Sequence, residues 1–162
     1  MTRAVARRRS AAGVRMLIGS GDKIMLFVLP FLGAGLILNI AFPSIFSVGG
    51  PPAALRLVSI AGLLVGVAIW AWSIGLILMR VPRGELITSG PYAVVKHPLY
   101  TAVALLVLPS IGFLANTWLG AAVGVVMYAA SRRFAPAEEA SLAKTHGQAW
   151  TDYTQTVRIP WL

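Results

Sequence analysis

The sequence predicts an all-α, multi-pass membrane protein with about four transmembrane helices and a C-terminal amphipathic helical cap in the cytosol. Hydrophobic residues make up 57% of the 162 residues and charged residues only 12%, and both values lie outside the range of soluble domains. Three uncharged stretches explain this composition: residues 24–46, 57–79 and 99–130. A membrane-spanning helix needs about 20 apolar residues, so the first two stretches predict one span each.

The third stretch is too long for one straight helix and predicts a hairpin of two short helices, at about 99–114 and 117–131. Pro98 suits the first turn of the first of these helices, where its missing N–H costs little. The triplet Ala115-Asn116-Thr117 predicts the turn, because Asn and Thr side chains compete for backbone hydrogen bonds. Helices this short either cross a thinned part of the bilayer or dip into it. Both arrangements return the chain to the same side of the membrane.

Beyond the hairpin, Pro136 predicts the start of a separate cap at about 136–157, with Glu138 and Glu139 in its first turn. Gly147 is expected to end the first of its helices.

In the rest of the cap, Trp150, Tyr153 and Val157 recur at intervals of three and four residues, which is typical of an amphipathic helix. We expect this apolar stripe to pack on the membrane face or over the hairpin. Trp161 is expected to anchor the end of the chain at the interface.

The basic residues predict the orientation. Of 14 Lys and Arg residues, only Arg56 falls between the first two spans, and the others lie within residues 1–23, in the 80–97 loop, or after Ala130. The positive-inside rule then places the N-terminus, the C-terminus and that loop in the cytosol. We expect a retained basic segment over residues 1–23 and a single integral membrane domain over 24–162.

Composition also limits the chemistry. The net charge of +9 is explained by topology and by attraction to anionic membrane lipids, so no nucleic-acid partner is expected. The absence of cysteine excludes disulfides and cysteine nucleophiles. No metal site is expected either, because His97 and His146 are far apart in the sequence and no HExxH motif occurs.

Taken one at a time, the polar residues near the membrane edge have structural explanations. His97 would satisfy a local hydrogen bond, Tyr100 would be an interfacial aromatic, and Glu138 and Glu139 would complement the dipole of a helix start. Trp70 and Trp72 lie near the middle of the second span, where lipid or core packing is a simpler explanation than an intramembrane pocket.

Taken together, the same residues form two motifs. Residues 90–100, GPYAVVKHPLY, closely resemble the G-P-Y-x-x-x-[RK]-H-P-x-Y segment of the isoprenylcysteine carboxyl methyltransferase family. The segment EEASL at 138–142, followed by Gly147, Tyr153, Val157 and Pro160, is similar to the E-E-x-x-L…G…Y…V-P tail of that family. The resemblance covers about residues 85–162, and two motifs in order are far more specific than either alone.

This resemblance implies an integral membrane methyltransferase that uses S-adenosylmethionine, releases S-adenosylhomocysteine, and methylates a lipophilic or lipidated substrate from the bilayer. A carboxylate acceptor would need a cation to hold it, and of Arg132 and Arg133 we prefer Arg133. An amine acceptor would need a base, for which Glu138 or Glu139 is a candidate, and of these we select Glu138. The predicted catalytic residues are thus Arg133 and Glu138, and the resemblance implies a cofactor pocket lined by Tyr92, Lys96, His97, Leu99, Tyr100, Glu138 and Glu139.

The chain departs from the family pattern at three positions. Ala102 stands where a glycine is frequent, His146 precedes Gly147 where Phe is usual, and Trp150 stands where a tyrosine is common. The last two also resemble the tail of membrane sterol reductases, which share the His-Pro-x-Tyr element and use NADPH. An NADPH-dependent reductase and a non-catalytic membrane subunit therefore remain alternatives. The methyl acceptor and the oligomeric state stay open.

Overall fold

The computed structural model describes residues 2–160, with side chains from Gly21 onward, and its described part is helical without a β-strand. This confirms the predicted all-α class, whereas the expected anchor at Trp161 falls outside the described residues. Seven α-helices follow in chain order: α1 Thr2–Ala41, α2 Pro43–Phe46, α3 Ala53–Arg80, α4 Pro98–Ala102, α5 Leu108–Leu114, α6 Leu119–His146 and α7 Gln148–Thr156. Short 3₁₀ turns occupy Val81–Arg83 and Gly90–Ala93.

Within the part of the chain that the structure describes, two helical segments are long and apolar enough to cross a membrane. They are Gly21–Ala41, with a mean hydropathy of 2.3, and Ala53–Arg83, with 2.2. The first ends five residues earlier than the sequence predicts, because Phe42 takes an extended φ of −135° ahead of Pro43. Toward the N-terminus, α1 continues without a break across the boundary predicted at residue 23.

The third apolar segment, Pro98–Leu114, is shorter than a standard span. At 1.5 Å per residue it is roughly 26 Å long, against about 30 Å for the hydrocarbon core of a bilayer. Its central turn, Val103–Val107, is π-helical, and the Leu108 N–H bonds to the Val103 carbonyl. The next residue, Pro109, lacks an N–H and cannot continue the ordinary ladder, which accounts for the widened turn.

The hairpin turn lies where the sequence predicts it. Asn116 adopts a left-handed φ of 59°, and the Thr117 N–H bonds to the Gly112 carbonyl at 2.8 Å. The two helical arms, one before the turn and one after it, are in direct backbone contact. A Cβ at Gly120 or Gly124 would overlap a carbonyl oxygen of the opposite arm, so only glycine permits this approach.

The predicted break at Pro136 is wrong, because α6 runs from Leu119 to His146 with Pro136 inside it. A proline removes one hydrogen bond from the ladder, but strong helix formers surround this one. Ala135 is buried, and Phe134 packs against the cluster that joins α1 to α6. Glu138 and Glu139 therefore lie deep in a long helix, so a helix-start dipole does not explain them.

The hairpin lies between the two long helices. One face of α6 packs on α1 through Ile24, Val28, Val123 and Ala130, while α3 packs along α4, the π-helical turn and α5. This arrangement places the start of α4 and the C-terminal half of α6 next to each other.

Gly147, with a φ of 53°, ends α6 as predicted and turns the chain into α7. The stripe of Trp150, Tyr153 and Val157 is buried, but it packs against Leu86 of the 80–97 loop and against the end of α6. The expected packing over the hairpin is thus corrected to packing over the loop that carries the first motif.

Candidate active site

The first motif is held by its glycine and its second proline. Gly90 has a φ of +63°, and a Cβ there would lie 3.1 Å from the Trp72 ring, so this turn requires glycine. Pro98 begins α4 as predicted and is buried, where its missing N–H costs no helical hydrogen bond. Between them, Lys96 and His97 are fixed at the entrance to the helix.

The centre of the site is the carboxylate of Glu139. It lies 2.9 Å from the Lys96 ammonium and 3.0 Å from Nε2 of His97. The side chains of Lys96, His97 and Glu139 are 14%, 11% and 25% exposed, so this contact is shielded much better than a surface ion pair. An ionised carboxylate only accepts hydrogen bonds, which assigns the proton of the imidazole to Nε2.

The hydrogen bond from His97 and the contact with Lys96 lower the pKa of Glu139 from 4.5 to about 2. Glu139 is therefore ionised at any physiological pH. Because it contacts Lys96 and His97, the two residues immediately before α4, it joins the first motif to the second across 43 and 42 positions of sequence.

Glu138 and Tyr92 form the neighbouring part of the site. Burial raises the pKa of the Tyr92 phenol, and the negative charge of Glu138 raises it further. Glu138 itself is half-buried. The charge of Glu138 therefore acts on the Tyr92 phenol.

Tyr100 and Leu99 lie in the first turn of α4. The ring of Tyr100 lies 6.4 Å from that of His97, and a Cβ at Gly21 would come within 3.3 Å of its hydroxyl. The hydroxyl thus approaches α1. Leu99, in the first turn of α4, is half-buried.

A polar cavity of about 280 Å³ opens beside Glu139. Arg132 and Arg133 are both exposed, but only Arg132 is among the residues that line this cavity. The structure thus brings Arg132, and not the preferred Arg133, to the charged cluster, because adjacent helical residues point about 100° apart. The remaining lining residues are Lys96, Ala135, Pro136, Glu139 and Pro160.

An apolar groove of about 540 Å³ lies on the other side of Pro98, between α3 and the α4–α5 segment. Trp72 forms part of its wall, so packing alone does not describe the surroundings of this residue. Ala102, one of the departures from the family pattern, also lines the groove. The sequence offered no signal for this groove beyond the unusual position of Trp72. Its other lining residues are Ile69, Gly90, Pro91, Val94, Val95, Pro98, Thr101, Leu105 and Leu106.

Among the residues with described side chains, no three metal-ligating groups converge. The site is instead a shielded cluster of charged side chains at one end of the helix bundle, with an apolar groove beside it. Such an arrangement suits the binding of a charged cofactor next to a hydrophobic substrate.

The sequence profile of the isoprenylcysteine carboxyl methyltransferase (ICMT) family matches residues 54–144, more than half of the chain. The chain therefore belongs to this family, and membership implies a membrane-bound methyltransferase. The match covers α3, the whole first motif and the glutamate pair. No curated protein and no solved structure matches the chain.

The lowered pKa of Glu139 predicts a specific acid sensitivity. A carboxyl whose pKa is lower in the folded state stabilises the fold above its unfolded value of 4.5 and loses this contribution as the pH falls toward about 2. The melting temperature of the native protein should thus exceed that of Glu139→Gln by a constant margin above about pH 5. The margin should shrink steadily below pH 4.5.

Thermal unfolding in detergent at a series of pH values measures this margin. Glu85→Gln, which changes an exposed carboxylate of the 80–97 loop, is the matched control and should show no such trend. A margin that does not change down to pH 3 would contradict the assigned role of Glu139.

Proposed function

We propose that this chain transfers the methyl group of S-adenosylmethionine to a lipophilic acceptor at the cytosolic face of a membrane. Family membership supports the reaction class, and one structural observation supports the location. Glu139 brings the two sequence motifs into a single charged cluster at 2.9–3.0 Å. A cluster built from both motifs is the natural place for the cofactor.

The charges around the cavity fit the amino-acid end of this cofactor. That end carries a carboxylate and an ammonium, and the cavity offers Lys96 and Arg132 as cations beside the carboxylate of Glu139. The cavity volume of about 280 Å³ lies just below the range for ligand sites, about 300–1,000 Å³. It therefore suits the charged end rather than the whole cofactor.

The two glutamates have different roles in this proposal. Glu139 already accepts from Lys96 and His97, so it orients these side chains. Glu138, in the environment of Tyr92, is the carboxylate for the ammonium group. Tyr92, His97, Leu99 and Tyr100 line the remainder of the pocket, as the resemblance implies.

S-adenosylmethionine supplies a methyl group that is already activated on a sulfonium. The protein mainly positions the acceptor in line with it and excludes water. A carboxylate acceptor needs a cation: Arg132 lies at the cavity, and Arg133 remains the residue predicted from the sequence. An amine acceptor would instead give its proton to Glu138, and in that case Glu138 would not also pair with the ammonium of the cofactor.

The packing also supports the proposed topology of four membrane helices with both termini in the cytosol. Glu139 of α6 binds Lys96 of the 80–97 loop, so these two segments lie on one side. Gly21, at the start of the first span, lies near the Tyr100 hydroxyl of α4, which places the N-terminal end of that span on the same side. The basic residues then assign this side to the cytosol.

The apolar groove supports a lipophilic acceptor. Its lining is almost wholly hydrocarbon, and it shares the 95–98 segment with the charged cluster. Val95 and Pro98 face the groove, while Lys96 faces the polar cavity. An acceptor with a hydrocarbon chain in the groove would hold its polar end near the cluster.

Calorimetric binding in detergent tests the cofactor. S-adenosylmethionine and S-adenosylhomocysteine should bind in the micromolar range, about −8 kcal/mol. Glu138→Ala and His97→Ala should each weaken binding tenfold or more, since hydrogen bonds to charged groups are at stake. Glu85→Ala and His146→Ala are matched controls and should leave the affinity unchanged.

Two other outcomes would favour the alternatives. Binding of NADPH in place of the sulfonium cofactor would assign the chain to a reductase. A folded protein that binds neither cofactor would be a non-catalytic subunit, and the methyltransferase proposal would be rejected.

Photolabelling tests the groove. An alkyl-chain amphiphile with a diazirine in its chain should label groove residues preferentially in liposomes. Leu105→Trp fills the groove and should reduce this labelling several-fold. Val125→Trp, on a part of α6 that is 67% exposed and outside the groove, should not. Labelling spread evenly over all lipid-facing residues would contradict a chain-binding groove.

A further inference from the structure

Three consecutive carbonyls of the first motif are bound by the end of the chain. The carbonyls of residues 92, 93 and 94 accept, in that order, from the Tyr153 hydroxyl at 2.8 Å, the Arg158 N–H at 3.3 Å and the Ile159 N–H at 2.8 Å. We name Tyr153, Arg158 and Ile159 the tail clamp. An isolated parallel bridge between Val95 and Ile159 extends the same contact.

The tail clamp is anchored by burial. Tyr153 and Val157 are only 4% and 5% exposed, and they pack with Leu86 of the same loop. Burial, with a smaller effect of the charge of Glu139, raises the pKa of Tyr153 to about 12. The phenol consequently keeps the proton that it donates, and the clamp stays intact over the whole physiological pH range.

The clamped backbone leads directly into the charged cluster. Lys96 and His97 follow the three clamped carbonyls by only two and three positions, and both side chains reach Glu139. The 92–97 segment is therefore held through its backbone by the tail and through its side chains by α6. Pro160, the residue after the clamp, lines the polar cavity itself.

We propose that Tyr153 is a positioning residue which, through the tail clamp, fixes the 92–94 backbone so that Lys96 and His97 meet Glu139. Tyr153 touches none of the reacting groups in this proposal and acts only through the loop. The effect on Lys96 does not depend on the proposed function. Only the resulting effect on cofactor affinity rests on it.

The reactivity of Lys96 tests the clamp without any cofactor. The chain contains three lysines, at positions 23, 96 and 144. Lys23 and Lys144 are exposed, whereas the Lys96 side chain is 14% exposed and paired. An amine-reactive acyl reagent, with peptide mass spectrometry as the readout, gives the rate at Lys96 relative to the two exposed lysines.

Two variants remove clamp donors separately. Tyr153→Phe deletes one hydroxyl, and Ile159→Pro deletes one N–H while the buried stripe stays intact. Each should raise the relative rate at Lys96 by roughly two- to tenfold, the equivalent of one net hydrogen bond. The matched controls are Thr154→Val, which removes a hydroxyl bonded to Thr151 inside α7, and Ile159→Val, which keeps the N–H. Both should leave the relative rate unchanged.

An unchanged relative rate at Lys96 in both clamp variants, with the protein still folded by its melting temperature, would overturn the proposal. An equal rise in Thr154→Val would also overturn it, because general loosening of α7 would then explain the result. Use of the rate relative to Lys23 and Lys144 separates a local release of Lys96 from global destabilisation.

The same variants also separate the clamp from the proposed function. If the relative rate rises and S-adenosylhomocysteine binds about tenfold more weakly, both stand. The other outcome requires that the native chain binds S-adenosylhomocysteine measurably. If the relative rate then rises while this affinity does not change, the clamp stands and the cluster is not the cofactor site.

Discussion

The double contact of Glu139 with Lys96 and His97 is the interaction on which the rest of the site depends. It is a shielded carboxylate with two donors, and its pKa of about 2 keeps it ionised. Breaking it would leave the charge of Lys96 poorly compensated in surroundings that are only 14% exposed. Such a loss costs more than the loss of a surface ion pair. The cluster thus holds the first motif against α6.

The cluster forms because two features of the bundle deliver its members to one place. Helix α6 continues through Pro136 and so carries Glu139 beyond the apolar core toward the loop. The loop in turn is fixed by Gly90 against Trp72 on one side and by the tail clamp on the other. A break of α6 at Pro136 would have separated the glutamates from the part of α6 that packs on α1.

Local signals in the sequence were sufficient for the features that depend on a few neighbouring residues. The hairpin turn at Asn116, the start of α4 at Pro98 and the end of α6 at Gly147 were all predicted correctly, because turn and cap chemistry act over short distances. The two long apolar helices followed from length and composition. The continuity of α6 through Pro136 was not predicted, because packing of Phe134 and Ala135 outweighs the local effect of the proline.

The candidate site was predictable only through the resemblance of two motifs, since nothing local shows that residues 96 and 139 meet. Arg132 and Arg133 are adjacent on α6 and point in directions about 100° apart, so only the structure shows which of them lines the cavity. The tail clamp and the apolar groove are formed by tertiary contacts, which local sequence does not reveal. A double-mutant cycle is the most direct test of the central claim that the Glu139 cluster forms the cofactor site. It measures S-adenosylhomocysteine affinity in Lys96→Met, Glu139→Gln and the double variant. If the pair acts as one unit, each single change weakens binding roughly tenfold and the double change little more. Losses that simply add, or single variants with native affinity, would contradict the account.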